Sequence, residues 1–532
     1  MELPWWAEGV LYQIYPRSFA DSNGDGIGDL PGIEARLDHL EWLGVDGIWL
    51  NPIMPSPNAD WGYDVADYLD VHPELGTLDD LDRLVAAAGR RGIRVLLDLV
   101  PNHTSDHHPW FEEARSAQAN GRRSWYVWAD PKPDGEPPNN WLSAFGGPAW
   151  TLDDASGQYY HHGFLPAQPD LNWWNDGVRD EFDRILRFWF DRGIAGFRID
   201  VAHRIVKDDA LRDNPAATAD DHPHIQRLGQ RHTYTANLPE LHEVLRRWRR
   251  LTDGYDDHRV LLGEAYVLDQ AQLAGFYGAG LDELHLAFNF IFVHSRLVAD
   301  ELRSVVEASE ATLPEGAWPA WTGSNHDAGR FASRWCGGQE LKIRAALVVL
   351  LTLRGTPVLY YGDEIGMTEV ALSEEQLRDP VGLRAWPEGQ GRDPGRTPMQ
   401  WTGDLSAGFT AASPDRTWLP LGDQGSCNVE DQRDDPDSVL VLCRDLIALR
   451  RSRRALASGS YLSLAAPPGV WAYRRGDDTA VAVNLSDRYS AVDGVRGKVL
   501  VSTDRERDGE QVSGQADLRP WEGLVIGENG TL

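Results

Sequence analysis

Eight short apolar runs, each ending in polar residues and followed by a helical pattern, constrain this chain more than any other feature. They fall at residues 10–15, 47–50, 94–99, 196–199, 260–263, 284–290, 317–322 and 357–361. Runs that stay apolar, without alternation, read as parallel strands covered on both faces. Eight strand–helix units in series predict an α/β fold, a closed (β/α)8 TIM barrel.

Two stretches interrupt the series and a third ends it. Residues 104–170 are rich in Pro, Gly, Trp and Asn with little helical period, which reads as a small domain inserted after the third strand. Residues 207–238 form a long polar segment after the fourth strand, where such loops shape a catalytic face. Beyond residue 455, the stretches 461–464, 470–473, 480–485 and 498–502 alternate like antiparallel strands. The expected organisation is a barrel from 1–103 and 171–455, an inserted domain at 104–170, and a C-terminal β-sandwich at 456–532.

Charge and cysteine content exclude several function classes. The net charge of −31 would repel a phosphate backbone, so no nucleic-acid partner is expected. Cys336, Cys427 and Cys443 are too few for a disulfide framework and suit a reducing compartment. The start of the chain has neither a basic nor an apolar signal-like run, and the longest apolar candidate, 345–353, is too short to cross a bilayer. A cytoplasmic protein without a membrane partner is expected. The 22 Trp are expected mostly in the core, with a few stacked on sugar rings in a carbohydrate cleft.

Catalytic side chains of such barrels stand at the C-terminal ends of strands. The third run leads through Asp98 to Asn102 and His103, and the fourth through Arg198 to Asp200. The fifth ends at Glu264, and His326 and Asp327 follow the seventh. One such carboxylate alone reads as a helix cap or the partner of a structural Arg; three on one face read as a reaction centre. Retaining glycoside hydrolysis needs an ionised and a protonated carboxyl about 5–5.5 Å apart. Arg198, two residues before Asp200, shares its side of the strand and is expected to hold it ionised. Neighbouring carboxylates are expected to raise the pKa of Glu264, fitting it to protonate a leaving oxygen.

These motifs, in this order, resemble the signature regions of the α-amylase superfamily, glycoside hydrolase family 13. The segments 168–172 (Gln-Pro-Asp-Leu-Asn) and 196–200 (Gly-Phe-Arg-Ile-Asp) resemble its α-glucosidase/oligo-1,6-glucosidase branch. The resemblance spans residues 10–450 and the C-terminal β domain. It implies an exo-acting, retaining α-glucosidase with Asp200 as nucleophile, Glu264 as acid/base and Asp327 as transition-state stabiliser. Around the terminal glucose it implies Asp64, His103, Arg198 and His326, with an Asp64–Arg396 pair walling the pocket behind one sugar; a plain surface salt bridge is the alternative. Tyr63, Phe145, Phe164 and Gln168 are further lining candidates, and Phe145 and Phe164 equally suit the core of the inserted domain.

The loop 21–29 places oxygen-bearing residues at every second position, the donor type a hard cation takes. It is no EF-hand, because the closing Glu position falls on Gly32. Resemblance implies a structural Ca²⁺ (or Mg²⁺) held by Asp21, Asn23, Asp25, Asp29 and the Ile27 carbonyl, with no cofactor for catalysis; a solvated Gly-rich turn is the alternative. The cluster 246–250 (Arg-Arg-Trp-Arg-Arg) reads as a solvated helix face, because Leu241, Val244, Leu245, Trp248 and Leu251 make the apolar stripe. The pairs His107-His108 and His161-His162 lack a third ligand at zinc spacing.

The substrate expected is a small α-glucoside, and monomer or homodimer is left open. Val201, after the nucleophile, resembles α-1,6 cleavers, but Ala202-His203 departs from their Ile-Asn pair. The neighbouring sequence is closer to bacterial enzymes acting on maltose, so α-1,4 cleavage of maltose and short malto-oligosaccharides is expected. An oligo-1,6-glucosidase, a transglucosylase or a sucrose-isomerising relative would share the same carboxylates. The glucosidase-like ectodomains of transporter heavy chains, which bind without catalysis, need a membrane helix and have lost those carboxylates.

Overall fold

A computed structural model describes residues 3–116, 121–255 and 258–528. Its main sheet has eight strands: β1 Leu11–Ile14, β2 Gly47–Leu50, β3 Arg94–Leu99, β4 Gly196–Ile199, β5 Val260–Gly263, β6 Leu286–Ala287, β7 Ala320–Trp321 and β8 Thr356–Tyr360. Its strands pair in parallel, in the order β7-β8-β1-β2-β3-β4-β5-β6, and a parallel bridge between Phe288 and Ala320 closes the circle. The TIM barrel expected from the eight runs is present.

Period-two alternation sorts each strand. Leu11, Trp49, Leu96, Val260 and Leu262 share one apolar cluster, while Tyr12, Ile48, Leu97, Phe197 and Leu261 belong to the larger cluster shared with the helices. The register pairs Asp98 with Arg198 and Arg198 with Leu262. Two residues past Leu262 on the same face comes Glu264, and two past Arg198 comes Asp200. The ladder thus delivers three carboxylates and one guanidinium to one end of the barrel.

The inserted segment holds a three-stranded antiparallel sheet of Trp128–Ala129, Gln158–His161 and Trp150–Asp153. It also holds a helix, Pro109–Ser116, in a stretch read as having little helical period. The bridges His103–Asp170 and Tyr126–Leu171 stitch its ends to the barrel.

The C-terminal strands form one six-stranded sheet. Val470, Ala472, Ala480, Ala482, Leu524 and Ile526 share a core with Val492, Val499, Val512 and Leu518. Alternate residues, Trp471, Tyr473, Val481, Val483 and Val525, join the barrel's core cluster. Ser490–Ser502 pairs with Gln511–Leu518 through 490–498 and with Gly523–Gly527 through 498–502, so the sandwich expected is a single sheet folded over its own core.

The arginine-rich helix, Leu241–Thr252, buries Leu241, Val244, Leu245, Trp248 and Leu251 as its stripe predicts. Its Arg246 and Arg247 pair with Glu283, Asp180 and Asp183. Among the described residues, no helix is long and apolar enough to cross a membrane.

Candidate active site

The site is built on Arg198, which is 1% exposed. Its Nη1 donates to Asp98 Oδ1 (2.8 Å) and Asp200 Oδ1 (2.7 Å), and its Nη2 to Glu264 Oε2 (2.6 Å). Burying an ion costs several kcal/mol unless partners surround it, and here three carboxylates do. Beyond Asp200 the chain turns through Val201 at φ 35°, a left-handed conformation that strains a β-branched residue. That turn aims the Val201 N–H at Glu264 Oε2 (2.9 Å). Asp200 and Glu264 thus take the two terminal nitrogens of one guanidinium.

The electrostatics differ from the sequence expectation in one respect. Arg198 was expected to hold Asp200 ionised. Burial instead pushes the Asp200 carboxyl well up, against the pull of Arg198 and reinforced by Glu264 and Asp98. One guanidinium is divided among three carboxylates, so its charge cannot hold each of them down. Burial also raises Glu264, against Arg198 and with Asp327 adding to the rise. The two residues therefore titrate as a pair, with burial favouring the protonated form of each. Asp98 is pushed up to about 7 by burial, against Arg198. Asp327 goes the other way: burial would raise it, but His326, Arg392 and Arg396 outweigh burial and hold it well below the usual carboxylate range.

The far wall of the pocket requires a correction. Asp64 and Arg396 do not meet. The Asp64 carboxylate accepts from Ser56 Oγ and from the N–H groups of Ala59 and Asp60, tying down its own loop. Arg396 donates to the His326 carbonyl and to Asp327 Oδ1, bracing the loop after β7. The pair that forms lies four residues earlier on both sides, Arg392 Nη2 to Asp60 Oδ1 at 2.6 Å. Gln168 Nε2 donates to the other Asp60 oxygen (3.2 Å). Arg392 also binds Asp327 and Asp379, and its guanidinium lies over the Phe145 ring. Burial raises Asp60 to about 6, with Arg392 opposing.

These groups border a cavity of about 900 Å³, which Asp200, Glu264, Asp327, Asp60 and Arg392 all line. Of the expected lining residues, Tyr63, His103, Phe145 and Phe164 reach it. Phe145 and Phe164 meet edge to face at 5.4 Å, outside the Trp141–Trp150 core of the inserted segment. Arg198, Gln168 and His326 stand behind the lining. His326 stacks on Tyr63 and bonds its hydroxyl (2.5 Å), so it reaches the cavity through Tyr63 and Asp327. No tryptophan lines the cavity among the described residues; its aromatic faces come from Tyr and Phe.

Sequence reasoning missed Asp60, Arg392, His203 and Tyr266, together with the helix Pro223–Leu228, whose Ile225 and Leu228 line the cavity. A second cavity of about 530 Å³, beside Trp128, Trp174 and Lys207, contains none of the strand-end carboxylates.

In the 21–29 loop, Asp21 accepts from the N–H groups of Asn23, Gly24 and Gly26, Asn23 from Asp25, and Asp25 from Ile27. Asp29 caps the helix Leu30–Ala35. Among the described residues, no three His, Cys, Asp or Glu side chains converge as a metal cluster. The carboxylates nevertheless suit a cation. Burial and the nearby Asp21 charge raise Asp29, and no ion pair with a basic side chain is present at Asp21, Asp25 or Asp29 among the described residues.

Residues 13–459 match the α-amylase catalytic domain. The chain belongs to the α-amylase family. A probable α-glucosidase of Rhizobium meliloti (strain 1021) is 45% identical over 469 residues, covering 86% of this chain and 84% of that protein. An oligo-1,6-glucosidase of Heyndrickxia coagulans is 39% identical over 532 residues, covering 92% and 93%. Among solved structures, the α-glucosyl transfer enzyme XgtA matches with a TM-score of 0.92 at 41% identity, covering 99% of this chain and 100% of that one. The trehalulose synthase MutB from Pseudomonas mesoacidophila MX-45 matches at 0.89 and 32%, with the same coverage. This α-amylase-family chain is thus a glycoside hydrolase family 13 enzyme, similar to proteins named for hydrolysis and for transfer of α-glucosyl groups.

Proposed function

We propose that the enzyme is an exo-acting, retaining α-glucosidase that removes terminal α-linked glucose from maltose and short malto-oligosaccharides. The observation that carries this reading is Arg198, whose two terminal nitrogens hold Asp200 and Glu264 against one point of the cavity. Asp200 attacks the anomeric carbon while the proton of the pair passes from Glu264 to the departing oxygen. Water then reverses the step, with Glu264 as base. Asp327, kept ionised by Arg392 and Arg396, faces the positive charge that develops on the sugar. Asp60 and Arg392 close the pocket beyond one glucose, which supports exo action. Nuclear magnetic resonance of early hydrolysis products tests the reading: α-glucose must appear before mutarotation.

A transfer reading also has support. The cavity is near the upper end of the roughly 300–1,000 Å³ typical of small-molecule sites, leaving room for an acceptor beside the first sugar. The similarity to XgtA favours it as well. Product analysis at high maltose, with rates on isomaltose, sucrose and trehalose, separates hydrolysis, α-1,6 preference and transfer. We further propose that the loop of Asp21, Asn23, Asp25 and Asp29, with the Ile27 carbonyl, holds a structural divalent cation, Ca²⁺ or Mg²⁺. The free thiols of Cys336, Cys427 and Cys443 support a reducing, cytoplasmic compartment.

A further inference from the structure

Three arginines line the cavity among the described residues, Arg204, Arg231 and Arg392. Arg392 pairs with Asp60, Asp327 and Asp379, and Arg231 pairs with Asp221. Arg204 is only 9% exposed, yet it has no ion pair among the described residues. The two carboxylates that act on its charge, Asp170 and Glu264, already hold Lys207 and Arg198. Burial accordingly lowers the pKa of the Arg204 guanidinium, with Asp170 and Glu264 opposing from beyond ion-pair range. A shortage of acids is not the reason, since Asp and Glu outnumber Lys and Arg by 82 to 51.

The guanidinium is held in place without being neutralised. Arg204 ends the short turn Ala202–Arg204 that follows Asp200, its own N–H donating to the Val201 carbonyl (2.8 Å). Its Nη2 donates to the His232 ring, 3.0 Å from Nδ1 and 3.2 Å from Nε2, and its guanidinium lies over the Phe164 ring at 5.7 Å. The Nε and Nη1 hydrogens have no partner among the described residues. His222, Arg231 and His232, all from the segment after β4, line the same cavity, so basic side chains gather here in a chain of net charge −31.

A buried charge without a partner is strongly unfavourable. A sugar hydroxyl can accept from the unused N–H groups but leaves the charge uncompensated. An oxyanion does both, and the planar guanidinium fork matches a carboxylate or a phosphate with two parallel N–H bonds. The acids on the cavity wall oppose this only in part. Burial favours the protonated forms of Asp200 and Glu264, and Asp269 accepts from the Gln272 N–H as the cap of the helix Gln270–Gly275.

We propose that Arg204 fits the leaving-group side of the cavity to α-glucosides whose aglycone carries an oxyanion, a carboxylate or a phosphate. The proposal rests on the glucosidase reading and adds a substrate class to it: Asp200 and Glu264 cleave the glycosidic bond, and Arg204 holds the departing aglycone.

Paired aryl α-glucosides test this. Carboxyphenyl glucosides are set against the neutral, isosteric carbamoylphenyl glucosides, and phosphonooxyphenyl against methoxyphenyl, each as the meta and the para compound. The readout is the ratio of kcat/KM for the anionic over the neutral member, compared between the wild type and Arg204→Gln so that differences in leaving-group acidity cancel. In at least one pair the wild-type ratio should exceed that of Arg204→Gln by about tenfold or more, mainly through KM, as expected for charge-assisted hydrogen bonds. The pair that responds identifies the anion. Arg204→Gln removes an uncompensated buried charge and is expected to melt no lower than the wild type. Should it not fold, Arg204→Lys keeps the charge without the fork and should reduce the wild-type ratio by about threefold or more. Ratios left unchanged in whichever variant folds overturn the proposal, and if the neutral glucosides are still hydrolysed the glucosidase reading stands without it. A wild type that hydrolyses no α-glucoside of either kind defeats the glucosidase reading, and the proposal with it.

Discussion

Asp60 and Arg392, 332 residues apart in the chain, meet at 2.6 Å and together line the cavity with Asp327. Neither partner belongs to a strand. Asp60 sits in the loop after β2 and Arg392 precedes a short helical turn at Asp393–Gly395, and each is fixed by further contacts to Gln168, Asp327 and Asp379. A wall made of an ion pair can hydrogen-bond the hydroxyls of one sugar and stop the next, which a wall of apolar side chains cannot do.

Asp60→Ala therefore removes recognition rather than fold. Arg392 keeps Asp327 and Asp379 as partners, so its charge stays compensated. Losing a hydrogen bond between a charged group and a sugar hydroxyl costs about 1.5–3 kcal/mol, which predicts a loss in kcat/KM for maltose of roughly 10-fold or more. Asp64→Ala should do the reverse: the 56–60 loop loses three hydrogen bonds, the melting temperature falls, and residual kinetics follow the folded fraction. Steady-state kinetics and thermal melts on both variants decide this; equal kinetic damage without loss of stability in Asp64→Ala would reinstate the Asp64 reading.

The contrast between these two aspartates shows what was legible in the sequence. Bounds read from residues match β2, β3, β4 and β5 to the residue, because those runs are buried from end to end except at Arg94, and β4 and β5 stop directly at a carboxylate, Asp200 and Glu264. Asp200 and Glu264 follow from period two once the strands are placed. The run 284–290 is longer than β6: the strand is Leu286–Ala287, His285 and Phe288 add single backbone hydrogen bonds to Leu261 and Gly263, and a helix begins at Phe290. Loops carry no such period. Asp60 and Asp64, or Arg392 and Arg396, are chemically equivalent in the chain, and only tertiary hydrogen bonds decide which one turns inward. The single guanidinium shared by three carboxylates was hidden for the same reason, since Asp98 and Glu264 meet Arg198 only when neighbouring strands are in register.

At the reaction centre, Asp200→Asn is expected to reduce kcat by at least about 10⁴-fold, because an amide cannot form the glycosyl ester and only binding and Asp327 remain. Glu264→Gln should slow maltose far more than an aryl glucoside whose leaving group needs no proton. Single-turnover rates on the two substrates give the comparison. Equal losses on both would deny Glu264 the acid's role, and appreciable hydrolysis by Asp200→Asn would deny Asp200 the nucleophile's.

For the 21–29 loop, chelation is the direct probe. Raised Asp29 beside Asp21, with no ion pair to a basic side chain among the described residues, stores repulsion that a divalent cation relieves. EDTA should lower the melting temperature by several degrees, added Ca²⁺ should restore it, and Asp21→Ala should show neither effect, in keeping with stabilisation by a ligand that binds only the folded state. A melting curve indifferent to chelator and to Ca²⁺ leaves the loop a plain turn held by its own N–H groups.

Asp363 offers a test of charge burial away from the reaction. Its carboxyl is fully buried under β8, accepting from the Tyr360 N–H and from Ser324 Oγ, and burial pushes its pKa from 3.8 up to about 7 against Arg330. The sign follows from proton uptake. Between pH 3.8 and about 7 the folded protein keeps a proton here that the unfolded chain has lost, so the contribution is complete below that window and disappears as pH rises through it. Asp98, raised to about 7, and Asp60, raised to about 6, act with the same sign. Asp170 and Asp327, both held low, lose their contribution only under stronger acid, outside this window. Buried histidines act with the opposite sign in the same range, since burial lowers His103, His162 and His285 to about 4, so the prediction concerns the difference between two proteins and not the wild-type curve alone. Asp363→Asn, which cannot ionise and can still accept from Tyr360 while donating to Ser324, should gain stability relative to the wild type as pH rises from 5 to 8. Melting curves of both proteins across the window give the measurement, and parallel curves would show that Asp363 is ionised in the folded state throughout.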